Sequence, residues 1–232
     1  MFIKRLVFVL LALAALSSLV GNAVAQSEPQ QFVLVYVEFK PDDARAGGDV
    51  LKQLDAHAEH SAGVIRFDVL QQIDRPNFFA LFETWSNAQT FADFQNSSET
   101  QAILAQLTPL LEAPLDQRPG NLLTGTVNRS RHAQARQIFV ITHVDVDPQF
   151  VPQAQPLLNT FVADSLNDPG VQTFALLSQT PTTNHFQLVE TFDNMGAFDD
   201  HVSAQHTVDF RTATAPFLGA PYDERLYQFV GR

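Results

Sequence analysis

The sequence predicts an α+β fold made of two tandem ferredoxin-like units, each ordered βαββαβ, on three observations. The chain repeats itself without a gap at an offset of 107 positions over about 85 residues. Gly63-Val64 recurs as Gly170-Val171, Val33 as Val140, Pro41 as Pro148, Asn77 as Asn184 and Glu83-Thr84 as Glu190-Thr191. A repeat of this length means two copies of one unit, so each position can be read twice. Within each copy the apolar pattern runs strand, helix, strand, strand, helix, strand. Prolines and turn formers punctuate the runs at matching places. That order is the split βαβ arrangement, an antiparallel sheet with helices on one face.

Residues 32–39 and 138–146 are β-branched and aromatic, as first strands require, and Pro41 and Pro148 stop them. Val50, Leu51, Leu54 and Ala58 mark one face of a helix over 49–60. Leu157, Leu158, Phe161 and Val162 mark its counterpart, which Pro152 and Pro156 confine to a start near Pro156. Gly63 and Gly170 suit the ends of these helices, since glycine tolerates positive φ. Paired strands follow at 64–72 and 78–85, and again at 171–179 and 185–192. Asn87 and Asn194 are N-cap candidates for the next helices. A last strand is plain at 222–230, whereas its counterpart over 115–127 is interrupted by Pro119 and Gly120. The expected division is a leader at 1–25, a first domain at 31–116, a linker at 117–137 and a second domain at 138–230. The linker carries Arg118, Arg129, Arg131 and Arg136 and reads as a solvated connector.

The leader has the layout of an export signal: Lys4 and Arg5, an apolar run from Leu6 to Val20, then Ala23-Val24-Ala25. Cleavage is expected after Ala25, giving a periplasmic or secreted protein with no membrane anchor. Loss of Lys4 and Arg5 takes the formal net charge from −11 to −13. So acidic a surface disfavours nucleic acid and anionic lipid as partners. With no Cys, disulfides and thiolate chemistry are excluded. No Gly-rich phosphate loop, Gly-x-Ser-x-Gly elbow or His-Glu-x-x-His occurs, so nucleotide-dependent and hydrolase readings lack support.

Candidate chemistry rests on histidine, whose unperturbed pKa lies near neutrality. His143 falls on the face of its strand shared with Phe139 and Ile141, and its repeat counterpart is Tyr36. A polar tip at the same inward position in both copies either faces a cavity or is a satisfied buried polar group. Glu83 and Glu190 recur in mid-strand among apolar neighbours and suggest a structural hydrogen bond or ion pair, with Arg118 and Arg225 as possible partners. His57 and His60 lie three apart without a visible third ligand, so an exposed helix face is the simpler reading.

The segments Gly63 to Leu70, Phe79-Ala80-Leu81-Phe82-Glu83-Thr84-Trp85 and Ala197 to His206 resemble the antibiotic biosynthesis monooxygenase family. The shared patterns are a Glu-x-Trp strand and an Ala-x-x-x-His-x-x-Ser-x-His helix. The resemblance covers nearly all of the chain after residue 25, yet each copy carries only part of the pattern. The second keeps Asp168-Pro169-Gly170, His201 and His206 but has Phe192 for the Trp. The first keeps Glu83 and Trp85 but has Phe94 and Glu99 for the histidines.

The resemblance implies a dimeric α+β barrel, made here internally by the two domains as a pseudo-dimer, with further self-association left open. It also implies oxygenation of a small aromatic, quinol- or anthrone-like molecule by O2 without metal or flavin. His201, His206 and His143 are the catalytic candidates, with the second domain the expected active copy. Trp85, Tyr36 and Phe192 are the substrate-binding candidates. Five residues apart on one helix, His201 and His206 would diverge by roughly 140°. They converge only if the helix breaks between them, so no metal pair is expected. Two rival readings remain: a non-catalytic carrier of a hydrophobic or phenolic ligand, and a haem-binding or haem-degrading relative with a histidine on the iron.

Overall fold

The structure, a computed structural model, describes residues 29–128 and 136–230. The leader 1–25 with its cut site, and Arg129, Arg131 and His132 of the expected linker, lie outside the described residues. The first unit runs β1 (Gln31–Glu38), α1 (Ala44–Ala58), β2 (Val64–Gln72), β3 (Phe78–Trp85), α2 (Ala88–Asn96), α3 (Ser98–Leu107) and β4 (Asp116–Thr126). The second repeats it as β5 (Ile138–Asp145), α4 (Val151–Ser165), β6 (Val171–Gln179), β7 (His185–Phe192), α5 (Met195–Ser203), α6 (Gln205–Thr214) and β8 (Asp223–Phe229). Among the described residues no helix is long and apolar enough to cross a membrane.

These strands close into one antiparallel barrel in the order β1-β3-β2-β8-β5-β7-β6-β4. The final strand of each unit joins the two. β4 pairs with β1 through Asp116–Gly120 and with β6 through Gly120–Thr126. β8 lies along β5 and meets β2 at three positions, Leu70 to Gln72. The pseudo-dimer implied by the sequence is therefore real, and it is built from hydrogen-bonded strands.

Alternation along each strand sorts side chains into three apolar layers. Val33, Val35 and Val37 face α1 with Leu51 and Leu54, and Val140 and Val144 face α4 with Leu158 and Phe161. Phe32, Leu34, Phe82, Phe139, Ile141 and Leu177 fill the barrel interior from both units. Burial of each such side chain contributes about 1.5–3 kcal/mol, so the inner layer itself binds the two halves together.

Three expectations need correction. The stretch from 117 is not a connector: β4 extends to Thr126, and Pro119 is accommodated where the strand changes partners. Its carbonyl still accepts from the Thr180 amide, at 2.8 Å. The fourth helix starts at Val151 rather than near Pro156. Pro152 lies in the first turn, where amides are free anyway, and Pro156 forfeits a single hydrogen bond. Finally, Arg118 and Arg225 do not pair with Glu83 and Glu190. The arginines point into the barrel, opposite Leu34 and Ile141, while the glutamates point toward the helices. The expected caps at Asn87 and Asn194 are present, each accepting from a backbone amide of the following helix. Gly63 and Gly170 adopt φ of 79° and 83°, in the turns after α1 and α4.

Candidate functional site

In the first unit, a pocket of about 220 Å³ opens between the sheet and α2–α3. Leu54, Leu81, Phe94 and Leu104 give it apolar walls, and Glu83 supplies its acid. Leu115 and Gln117, both exposed, form its rim. Glu83 is 2% exposed, and burial pushes its carboxyl up to about 7, partly opposed by one hydrogen bond. That bond comes from Trp85, whose Nε1–H donates to Oε2 at 2.9 Å. Trp85 is itself fully buried, with its ring centroid 4.7 Å from that of Phe94. It is thus not a pocket wall; it holds the side chain that is.

The equivalent place in the second unit is nearly filled. A void of only about 20 Å³ remains, with Glu190, His201 and Tyr222 on its boundary. Glu190 accepts from Thr142 Oγ1 at 3.2 Å. Burial first, and then the charge of Glu224, push it up to about 8. His201 stands where the first unit has Phe94, packed among Phe161, Phe174 and Phe192, and the room is taken by Phe161 and Tyr222, which replace Leu54 and Leu115. Phe192 is completely buried in this stack.

His201 and His206 do come together. The helix breaks at Ala204, which has extended angles (φ −63°, ψ 144°), and α6 starts in a new direction. Both imidazoles then meet the carboxylate of Asp168. His201 Nδ1 lies 2.8 Å and His206 Nε2 3.2 Å from Asp168 Oδ2. Burial lowers the pKa of His201, with Asp168 opposing the shift.

His143 lies elsewhere. Its Nε2 is 2.5 Å from the Tyr36 hydroxyl, inside the barrel where the two units meet. Arg118 Nη1 lies 3.3 Å from His143 Nδ1. Burial, reinforced by Arg118 and Arg225, brings the His143 pKa down to about 4. The arginines are each held by a carboxylate, Asp116 and Asp223, and both lie about 5 Å from the Tyr36 ring centre. Tyr36, Arg118 and Arg225 border a separate pocket of about 240 Å³ at the barrel mouth.

The six expected residues therefore fall into three groups: Trp85 behind the first pocket, His201, His206 and Phe192 in the second unit, and Tyr36 with His143 between them. Glu83 is a wall of the pocket rather than the purely structural group its sequence setting suggests, and the one signal for it in the sequence is a carboxylate repeated mid-strand among apolar residues. Asp168 stands in the Asp-Pro-Gly motif, and nothing local in the sequence marks it as the partner of both histidines. His57 is part-buried against α3, 3.1 Å from Thr100 Oγ1 and 3.4 Å from Glu99, rather than on an open face.

A family profile described as antibiotic biosynthesis monooxygenase matches residues 31–106 and 137–213. The fold is similar to that of a candidate monooxygenase from Fusobacterium nucleatum, with TM-score 0.81 and 14% identity over 89% of this chain and 94% of that one. A candidate monooxygenase from Lactobacillus acidophilus gives 0.71 and 13% over 87% and 94%. An anthrone oxidase-like protein gives 0.67 and 12% over 88% and 92%. At these identities the likeness is one of fold. No curated protein matches the chain.

Proposed function

The chain belongs to the antibiotic biosynthesis monooxygenase family through both of its domains, and from that premise we propose that its first domain oxygenates a small aromatic substrate of the quinol or anthrone type. The observation that supports this reading is Glu83: a carboxyl poised near neutral pH, fixed by Trp85, on the wall of an apolar pocket. An ideal general base has a pKa near the working pH. The pocket volume lies below the roughly 300–1,000 Å³ of drug-sized sites and suits a compound of one to three fused rings.

In this reading Glu83 removes the phenolic or enolic proton, leaving an electron-rich anion in contact with O2. The anion passes an electron to O2, and the radical pair combines to form a carbon–oxygen bond. Cleavage of the O–O bond leaves one oxygen on the ring, while the other departs as water with hydrogens from the substrate. All electrons come from the substrate, so no external reductant is needed. Water exclusion by Leu54, Leu81 and Phe94 strengthens the interaction of the anion with the polar side chains of Gln95 and Thr100 on the same lining. The leader argues for work outside the cytoplasm, in the periplasm or beyond.

The second domain offers no comparable room, since its void is about 20 Å³. This moves the expected active copy from the second domain to the first. A haem macrocycle fits neither space.

Oxygen uptake by the chain in the presence of a chelator, with a panel of hydroquinones and anthrones, tests the proposal. Uptake above the uncatalysed rate with quinone product, abolished in Glu83→Gln, is expected. Tight binding of the same compounds with no uptake would instead make the pocket a carrier site.

A further inference from the structure

We propose that Asp168, His201 and His206 form a binding site for one divalent transition-metal ion, with Zn2+ as the natural probe. The site lies in the second domain, apart from the Glu83 pocket, and does not depend on the oxygenase reading. Among the described residues, these three are the one group of metal-ligating side chains whose donor atoms all lie within 4.8 Å of one another.

The backbone builds this convergence from two directions. Asp168 sits in the turn after α4, just before the positive-φ Gly170. His201 and His206 come from the two sides of the break at Ala204. Without that break, the two imidazoles would point apart. The first domain keeps the break, at Ser97, but carries Ser61, Phe94 and Glu99 at the three equivalent positions. The donor set is therefore specific to one copy, although both share the scaffold.

The distances fit an ion. Metal–nitrogen and metal–oxygen bonds of about 2.0–2.1 Å at octahedral or tetrahedral angles put neighbouring donor atoms roughly 2.8–3.4 Å apart. The Asp168 oxygen is 2.8 Å from one nitrogen and 3.2 Å from the other. His206 Nε2 also has Ser165 Oγ and Thr207 Oγ1 at 3.4 Å each. Three oxygens therefore surround this nitrogen, the carboxylate's being the nearest.

Access and rigidity are divided among the ligands. His201 is 3% exposed and locked by three phenylalanine rings, which fixes one donor in place. His206 and Asp168, at 22% and 19%, leave an approach from solvent. Two imidazoles and one carboxylate with open coordination positions suit Zn2+, Fe2+ or Co2+, whereas Mg2+ and Ca2+ prefer oxygen-only sets. A bound ion would tie the turn after α4 to the junction of α5 and α6.

Calorimetric titration of the metal-stripped chain with Zn2+ tests the site, followed by visible absorption with Co2+. One ion per chain at micromolar or tighter Kd is expected, with a Co2+ spectrum of low coordination number. His206→Ala and Asp168→Asn should each weaken binding by about 100-fold or more, beyond the 10–100-fold typical of losing an outer-shell partner. His57→Ala should leave it unchanged. X-ray absorption of the Zn2+-loaded wild type should show two imidazole nitrogens, a check that needs no variant to fold. Failure of the folded chain to bind Zn2+ would overturn the proposal. So would binding that survives both ligand substitutions, or a first shell without imidazole.

Discussion

Tyr36 and His143 are 107 positions apart in the sequence and 2.5 Å apart in the fold. They are the same position of the repeat, meeting its own copy across the pseudo-twofold relation between the two units. Arg118 and Arg225 flank them, as do Asp116 and Asp223, again in equivalent pairs. Such a contact arises only where two copies face each other, and divergence into tyrosine and histidine turned it into a hydrogen bond.

Because His143 stays neutral to about pH 4 in the fold and titrates near 6.5 when unfolded, only the unfolded chain takes up its proton between those values. Stability from this group is therefore lost as pH falls from about 6.5 to 4, by about 3 kcal/mol. His143→Gln keeps a partner for Tyr36 but cannot titrate. Urea midpoints at pH 7 and pH 4.5 should fall less in the variant than in the wild type.

Glu83 has the opposite sign. Its folded pKa is raised to about 7, so stability is lost as pH rises from about 4.5 through 7. Glu83→Gln should abolish oxygen uptake while raising stability at pH 8 relative to pH 5, by on the order of 2–3 kcal/mol. Denaturant titrations at both pH values read the second effect independently of the first.

Trp85→Phe removes the donor that favours the Glu83 carboxylate. The acid limb of the pH–rate profile should move to higher pH, because the carboxyl then ionises less readily. The lost ring volume and hydrogen bond should cost roughly 1–3 kcal/mol of stability. A limb that stays in place while stability drops would leave Trp85 with packing alone.

Leu104→Phe narrows the pocket from the α3 side. Turnover of an anthrone should fall by about tenfold or more, and that of a single-ring hydroquinone by less, consistent with overpacking costs of about 1–3 kcal/mol. Comparing kcat/KM for the two substrates gives the discrimination directly.

Gly125 lies in β4 on the seam with β6, at φ 95°, where an added Cβ would fall 2.2 Å from the Phe174 carbonyl oxygen. Gly125→Ala should lower stability by about 2–3 kcal/mol or more, since neither the angle nor the space suits it. Thermal unfolding measures this.

Much of the architecture was legible because repetition let each strand be checked against its twin. β4 was obscured by Pro119, which argues against a strand until one sees that the strand passes from one partner to another there. The Glu83–Trp85 bond lay two residues apart in plain view. Its importance depended on the pocket, which is set by how α2 and α3 pack. The meeting of His201 and His206 turned on a single residue, Ala204, whose extended angles nothing in its chemistry announces. Asp168 joins them from 33 positions away, and local periodicity carries no information at that range.

The shared strands have a final consequence. A ring completed by two separate polypeptides falls apart on dilution; here β4 and β8 complete it within one polypeptide, at an effective concentration on the order of millimolar for a short connection. Closure is thereby independent of how much protein is present. It also frees the halves from having to be identical, since a change in one is not imposed on the other. One half has kept an open pocket with an acid, and the other has filled that space and gathered two histidines around an aspartate.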